Sequence, residues 1–164
     1  MSDTDLYETH HDSPVGRLRI VGGDRGVRAV LWPVERDGRV RLPATLAGSH
    51  AVLDDTCRQL DEYFAGSRHS FDLPLDLGGT GFQEAVWKSL TEIAYGETST
   101  YAAQAIGLGR PSAVRAVAGA IGRNPVSIVV PCHRVVGADG SLTGFAGGLG
   151  AKEHLLHHER THRI

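Results

Sequence analysis

Apolar and polar positions first alternate between Gly16 and Gly23. In GRLRIVGG, Leu18 and Ile20 alternate with Arg17, Arg19 and Val21, which predicts a half-buried strand. GGDRG supplies a turn and VRAVLW a second strand, so a hairpin is expected. After the polar stretch VERDGRVRLP the period changes. From Ala51 to Phe64, Leu53, Cys57, Leu60 and Phe64 fall on one helical face. Cys57 therefore reads as a small apolar side chain in a core stripe. DLPLDLGGTG, Asp72 to Gly81, is a connector in which Thr80 is placed to cap the next helix. That helix, GFQEAVWKSLTEIAYG, aligns Phe82, Val86, Leu90 and Ile93.

TSTYAAQAIG predicts a short helix capped by Thr98 or Ser99 and stopped at Gly107. GLGR is a turn. PSAVRAVAGAIGRN predicts a second helix, with Pro111 near its first position, where a missing N–H costs nothing. Two short helices joined by such a turn fit a helix-turn-helix. At about 100° per residue, Val114, Val117 and Ile121 form the buried face of the second helix. Arg115, Ala116, Gly119 and Arg123 lie opposite. Exposed helix faces ordinarily carry Glu, Lys and Gln, and Gly119 costs ~1 kcal/mol relative to alanine. Small residues flanked by arginines suit close approach to a DNA groove. The chain reads as α+β. A small N-terminal domain of strand hairpin and helix is expected over residues 1–75. A mostly helical domain with a helix-turn-helix is expected over 76–164.

Composition narrows the setting. The 164 residues allow one compact domain or two small ones, and 41% hydrophobic with 22% charged residues is ordinary for a globular chain. No apolar run approaches the ~20 residues that span a bilayer, so no membrane association is expected. The start, MSDTDLYETHHD, has neither the basic nor the apolar region of a signal peptide. A cytoplasmic, reducing location is expected. Net charge is −2, with 12 acidic against 9 basic residues through position 75 and 7 against 8 thereafter. Bulk charge therefore does not drive nucleic-acid binding, and any DNA contact rests on local arginines. The two cysteines form no CxxC, and the nine histidines form no ligand set. No metal and no cofactor are expected.

The chemistry concentrates in VVPCHRVVGADGSLTGFAGG, Val129 to Gly148. A free cysteine has a pKa near ~8.5 and needs a base or a cation beside it to react at neutral pH. His133 follows Cys132 directly. On a regular strand the two would point to opposite faces. Pro131 breaks the ladder there, so a turn can bring both to one pocket, directly or through one water. In AKEHLLHHER, Glu159 sits at the margin of the apolar face made by Leu155 and Leu156, turned toward the protein. Cys132, His133 and Glu159 would then be nucleophile, base and orienter. Arg134 is expected in structural or phosphate contacts. Other readings stay open on these residues: a structural cysteine, a helix-turn-helix DNA-binding regulator whose cysteine is incidental or a sensor, and a Cys–His hydrolase.

PCHRV resembles the active-site signature of the O6-alkylguanine-DNA alkyltransferases. FQEAVWKSL, IAYGETSTYAAQA, AVRAVAGAIGRNPVSIVVPCHRVVG and LTGFAGGLGAKEHLLHHE extend the likeness in order over residues 80–160. The N-terminal part is similar in its strand-then-helix layout and its SPVG and YFAG turns, and the resemblance implies a ribonuclease H-like domain there. The resemblance implies direct-reversal DNA repair. Cys132 would take the alkyl group from O6-alkylguanine, and from O4-alkylthymine, in a single irreversible turnover after nucleotide flipping. His133 would deprotonate it and Glu159 hold the imidazole. Asn124 would be the hinge between recognition helix and active-site segment, and Tyr101 would donate toward guanine N3. Arg115 would fill the space of the extruded base, with Ala116, Gly119 and Arg123 beside it in the minor groove. Val135, through its main chain, and Phe145, Ala146 and Gly147 would shape the guanine pocket. The partner implied is double-stranded DNA containing alkylated guanine, bound by a monomer, with cooperative assembly on DNA left open. Three positions depart from common members: Phe145 for tyrosine, Ala151 for arginine, and Ser127 for the proline of some.

Overall fold

The computed structural model describes residues 4–163 and separates them into two units. The first comprises the described residues up to Gly78 together with Pro125–Val129. The second comprises Gly79–Asn124 and the described residues from Val130 onward.

The first unit is built on an antiparallel sheet of β1 (Tyr7–Ser13), β2 (Gly16–Gly23) and β3 (Gly26–Leu31), in that order. The expected hairpin is β2–β3. The sequence reading missed β1, whose YETHHDS pairs with β2 from Tyr7 opposite Gly22 to Ser13 opposite Gly16. Its side chains are mostly polar, and cross-strand bonds rather than apolar alternation define it. Glu8, for example, receives Arg19 Nε at 2.9 Å and Thr45 Oγ1 at 2.6 Å. The free edge of β3 is bridged twice. Val27 N donates to Pro74 O and Val30 N to Pro125 O, at 2.8 and 2.9 Å. A side chain on Gly26, at φ 122°, would strike the Pro74 carbonyl. Glycine is what lets that edge close.

Helix α1 (Ala51–Phe64) packs on this sheet. Its buried face is rotated from the expected one. Val52, Leu53, Thr56, Gln59, Leu60 and Tyr63 are inside, whereas Cys57 and Phe64 are half-buried. Apolar spacing misplaced the face because two polar residues on it are satisfied internally. Thr56 Oγ1 donates to Val52 O at 2.6 Å, and the Gln59 amide exchanges two 2.9 Å bonds with the Asp72 backbone. Buried polar groups are tolerated when bonded in this way.

The second unit contains α2 (Gly81–Leu90), β4 (Ser99–Thr100), α3 (Tyr101–Gly107), α4 (Val114–Gly122), β5 (Val135–Val136) and α5 (Leu149–Thr161). Thr80 caps α2 in a reciprocal capping box with Gln83. The helix stops at Leu90, so Ile93 is buried in the following turn rather than on the helix. Trp87 on α2 donates its indole N–H to Ala120 O of α4 at 2.7 Å. Two helix starts also move. Thr100, not Thr98 or Ser99, caps α3 by accepting from Ala103 N. Helix α4 begins at Val114, which leaves Pro111 in the preceding turn. No helix among the described residues is long and apolar enough to cross a membrane.

Candidate active site

Ile128, at φ 72°, and Val129 lie in a turn before Pro131, whose ψ is 62°. Cys132–Arg134 then form one 3-10 turn, closed by Val135 N on Cys132 O. The strand geometry that would have split Cys132 from His133 is therefore absent. All three turn residues are buried, His133 completely. The short parallel pair of β4 with β5 sets Ser99 against Val135 and Thr100 against Val136, which brings the start of α3 beside this turn.

Helix α5 supplies the partner. Glu159 is fully buried, and its Oε2 lies 2.7 Å from His133 Nε2. Burial pulls its pKa upward, but the bonds from His133 and Arg134 outweigh that and hold it far below the usual carboxylate range. An ionised carboxylate only accepts, so His133 Nε2 carries the proton and donates. Burial, reinforced by the Arg134 and Lys152 charges, pushes His133 below an ordinary histidine despite Glu159. The ring is therefore neutral at neutral pH. Its Nδ1 is buried and accepts no hydrogen bond from any described residue. That lone pair is left able to accept a proton.

For Arg134, expected in structural or phosphate contacts, the structural alternative holds: it is buried and bonded to the protein. Its Nε and Nη2 donate to the two oxygens of Glu159 at 2.8 and 3.0 Å, and its Nη1 donates to Ile93 O at 2.6 Å. The guanidinium also lies 5.7 Å from the Tyr95 ring centroid. The forked donor matches a carboxylate in two places at once. The signal was present as PCHR itself, but an arginine in sequence does not say which carboxylate it will meet.

The remaining residues sort clearly. Asn124 is fully buried, and its Nδ2 donates to Val130 O at 2.9 Å, joining the points where the chain leaves and re-enters the second unit. The Tyr101 hydroxyl bonds Thr143 Oγ1 at 2.6 Å, which links α3 to the glycine loop. Phe145, Ala146 and Gly147 are half-buried in that loop, and Val135 is buried. Lys152, on α5, is buried, donates to Val135 O at 2.7 Å and sits 5.8 Å from the Phe145 ring centroid. Arg115, Ala116, Gly119 and Arg123 are all exposed on one side of α4, while Val117, Ala120 and Ile121 face inward and Val114 is half-buried. A Cβ added at Gly119 would meet nothing within 4 Å, so the face is open. His154 and His158 on α5 and His162 at its C-terminal cap follow one another. Among the described residues no group of three or more His, Cys, Asp or Glu is arranged to hold a metal.

Comparison with known proteins agrees with this assembly. Residues 6–77 match the 6-O-methylguanine DNA methyltransferase ribonuclease-like domain, and residues 81–161 match the DNA binding domain of the same family. The chain is 44% identical to a methylated-DNA–protein-cysteine methyltransferase of Methanosarcina barkeri, over 92% of this chain and 95% of that protein. It is 46% identical to the protein of that name from Mycolicibacterium paratuberculosis, over 92% and 90%. A crystal structure of Mycobacterium tuberculosis OGT in complex with DNA superposes with a TM-score of 0.85 at 39% identity, covering 97% of this chain and 94% of that one. A buried Cys–His–Glu cluster beside a helix-turn-helix, with both halves of the chain matched, makes this chain a member of the methylated-DNA–protein-cysteine methyltransferase family.

Proposed function

We propose that the protein repairs O6-alkylguanine in DNA by moving the alkyl group to Cys132, once and irreversibly. The observation that carries this reading is the buried relay. His133 is held neutral, with its Nε2–H on Glu159 and its Nδ1 meeting no donor among the described residues. Cys132 passes its thiol proton to Nδ1, directly or through one water. The sulfur attacks the alkyl carbon in line. The carbon–O6 bond breaks, and its electron pair goes to the guanine, which takes up a proton. The product is a thioether, which has no easy leaving path, so the protein is consumed. O4-alkylthymine presents the same alkyl–oxygen bond and belongs to the same substrate class.

An O6 substituent inside the base stack is out of reach of a buried thiol, so the nucleotide must be extruded. Extrusion costs a few kcal/mol, least for a badly paired damaged base. The open face of α4 fits the minor groove, where Arg115 fills the space left by the base and Arg123 stands over phosphate. The Tyr101 hydroxyl exchanges its Thr143 partner for guanine N3. The Val135 main chain, Phe145, Ala146 and Gly147 form the pocket wall, with the Ala146 N–H on O6. Asn124 keeps the recognition helix and the cysteine turn in register. Both cysteines are free thiols, the state the reaction needs and a cytoplasmic, reducing compartment keeps. The protein acts as a monomer on duplex DNA.

Intact mass after incubation with duplex DNA containing O6-methylguanine tests this. A gain of one methylene, lost in Cys132→Ser, is expected. DNA binding without a mass change would overturn it in favour of a regulator, and repeated turnover of an ester or amide in favour of a hydrolase.

A further inference from the structure

Lys152 is 1% exposed, and among the described residues its ammonium makes one hydrogen bond, to Val135 O at 2.7 Å. No carboxylate among the described residues forms an ion pair with it. Glu159, the buried acid of this site, is already taken by Arg134 and His133. Taking an ammonium out of water costs several kcal/mol unless a counter-charge meets it. In the resting site the charges of Arg134 and Glu159 cancel and His133 is neutral, which leaves the lysine as the surplus. The bond to Val135 fixes where that surplus stands, because Val135 N closes the turn on Cys132 O. The lysine is thus tied to the residue that shapes the cysteine turn.

We propose that Lys152 is a positioning residue whose buried, uncompensated ammonium is the standing counter-charge for the Cys132 thiolate. This rests on the reading of Cys132 as the nucleophile. The charge arithmetic follows the proton. When Cys132 ionises to His133, the site gains a thiolate and an imidazolium; Lys152 stands on the residue that closes the cysteine turn, and Glu159 is bonded to the imidazole. The titratable groups around the ammonium are Cys132 and His133, with Glu159 and Arg134 behind the imidazole. Burial lowers the Lys152 pKa and Cys132 raises it, the sign expected when thiolate and ammonium support each other. A buried lysine kept only for packing would be replaced by methionine at no loss of function, since both carry long unbranched chains.

The test reads Cys132 without DNA. The rate of its carbamidomethylation by iodoacetamide is followed by peptide mass from pH 5 to 10, with Cys57 as internal reference. Cys57 is raised by burial and by Asp61 and Asp54. In the unmodified protein Cys132 is expected to ionise below Cys57 although it is the more buried thiol; the reverse order overturns the proposal. In Lys152→Gln and Lys152→Met the Cys132 inflection moves up by about one unit, which slows the reaction about tenfold at pH 7 and leaves the high-pH plateau in place. Lys152→Arg restores most of the shift. An unmoved inflection, or a plateau lowered equally at every pH, overturns it. Methyl transfer from O6-methylguanine DNA is measured on the same samples. If Cys132 ionises as stated but takes no methyl group, the repair reading fails and the Lys152 assignment stands.

Discussion

Arg134 grips Glu159 with two parallel hydrogen bonds, at 2.8 and 3.0 Å, while the same carboxylate receives His133. Three charged or chargeable groups are thereby locked together out of water. The arrangement fixes the histidine tautomer, with the proton on Nε2 and the lone pair on Nδ1.

Removing the arginine strands that carboxylate. Breaking a buried pair by deleting one partner costs ~3–5 kcal/mol. Arg134→Ala is expected to lose stability on that scale in urea denaturation. Arg134→Lys keeps the charge but loses the fork, and should recover less than half of it. Full recovery by lysine would mean that charge alone, not the paired geometry, holds Glu159.

Stability should fall with acid in two stages. His133 is depressed in the folded chain, so below ~6.5 the unfolded chain takes up a proton that the folded chain refuses. Its contribution is complete above that pH and declines as pH falls toward the folded value. Glu159, also depressed, contributes above ~4.3 and is lost as pH falls further. One group titrating fully gives a slope of ~1.4 kcal/mol per pH unit. Isothermal urea titrations between pH 8 and 5 should show a shallower decline in His133→Gln than in the wild type. Parallel profiles would remove His133 from the first stage.

Asn124 is a structural clamp with a functional address. Asn124→Ala leaves the Val130 carbonyl without its amide partner in a buried place, at a cost of ~1–3 kcal/mol. Thermal unfolding reads that loss. Methyl transfer should slow by a larger factor than the stability change explains, because the cysteine turn begins just after Val130.

Arg115→Ala separates flipping from chemistry. Reaction with alkylated duplex DNA should slow at least tenfold, on the order of the stacking that an inserted side chain replaces. Reaction with the free alkylated base should hold within about twofold, since no base need be extruded. Equal slowing of both would take Arg115 out of the flipping step.

Much of the fold was legible, and the failures share a cause. Thr80, Leu90 and the outward face of α4 follow from capping and helical period, which are local. Strand β1 and the buried side of α1 were not legible, because polar side chains there are satisfied by partners distant in sequence, such as Glu8 with Thr45 and Gln59 with Asp72. The site divides in the same way. Cys132, His133 and Glu159 were readable as residue types with a shared chemistry. The partners that Arg134 and Lys152 meet were not.

By itself, the sequence determined the helix-turn-helix and its arginine-flanked face, and it marked Cys132 and His133 as candidate nucleophile and base, because those depend on period, turn residues and intrinsic reactivity. Only the tertiary structure decided which charge meets which. A 3-10 turn after Pro131, a helix beginning at Leu149 and a glycine loop between them bring Arg134 onto Glu159 and leave Lys152 with a carbonyl. The strength of a buried charge depends on distance and solvent exclusion, and neither is written in the order of residues.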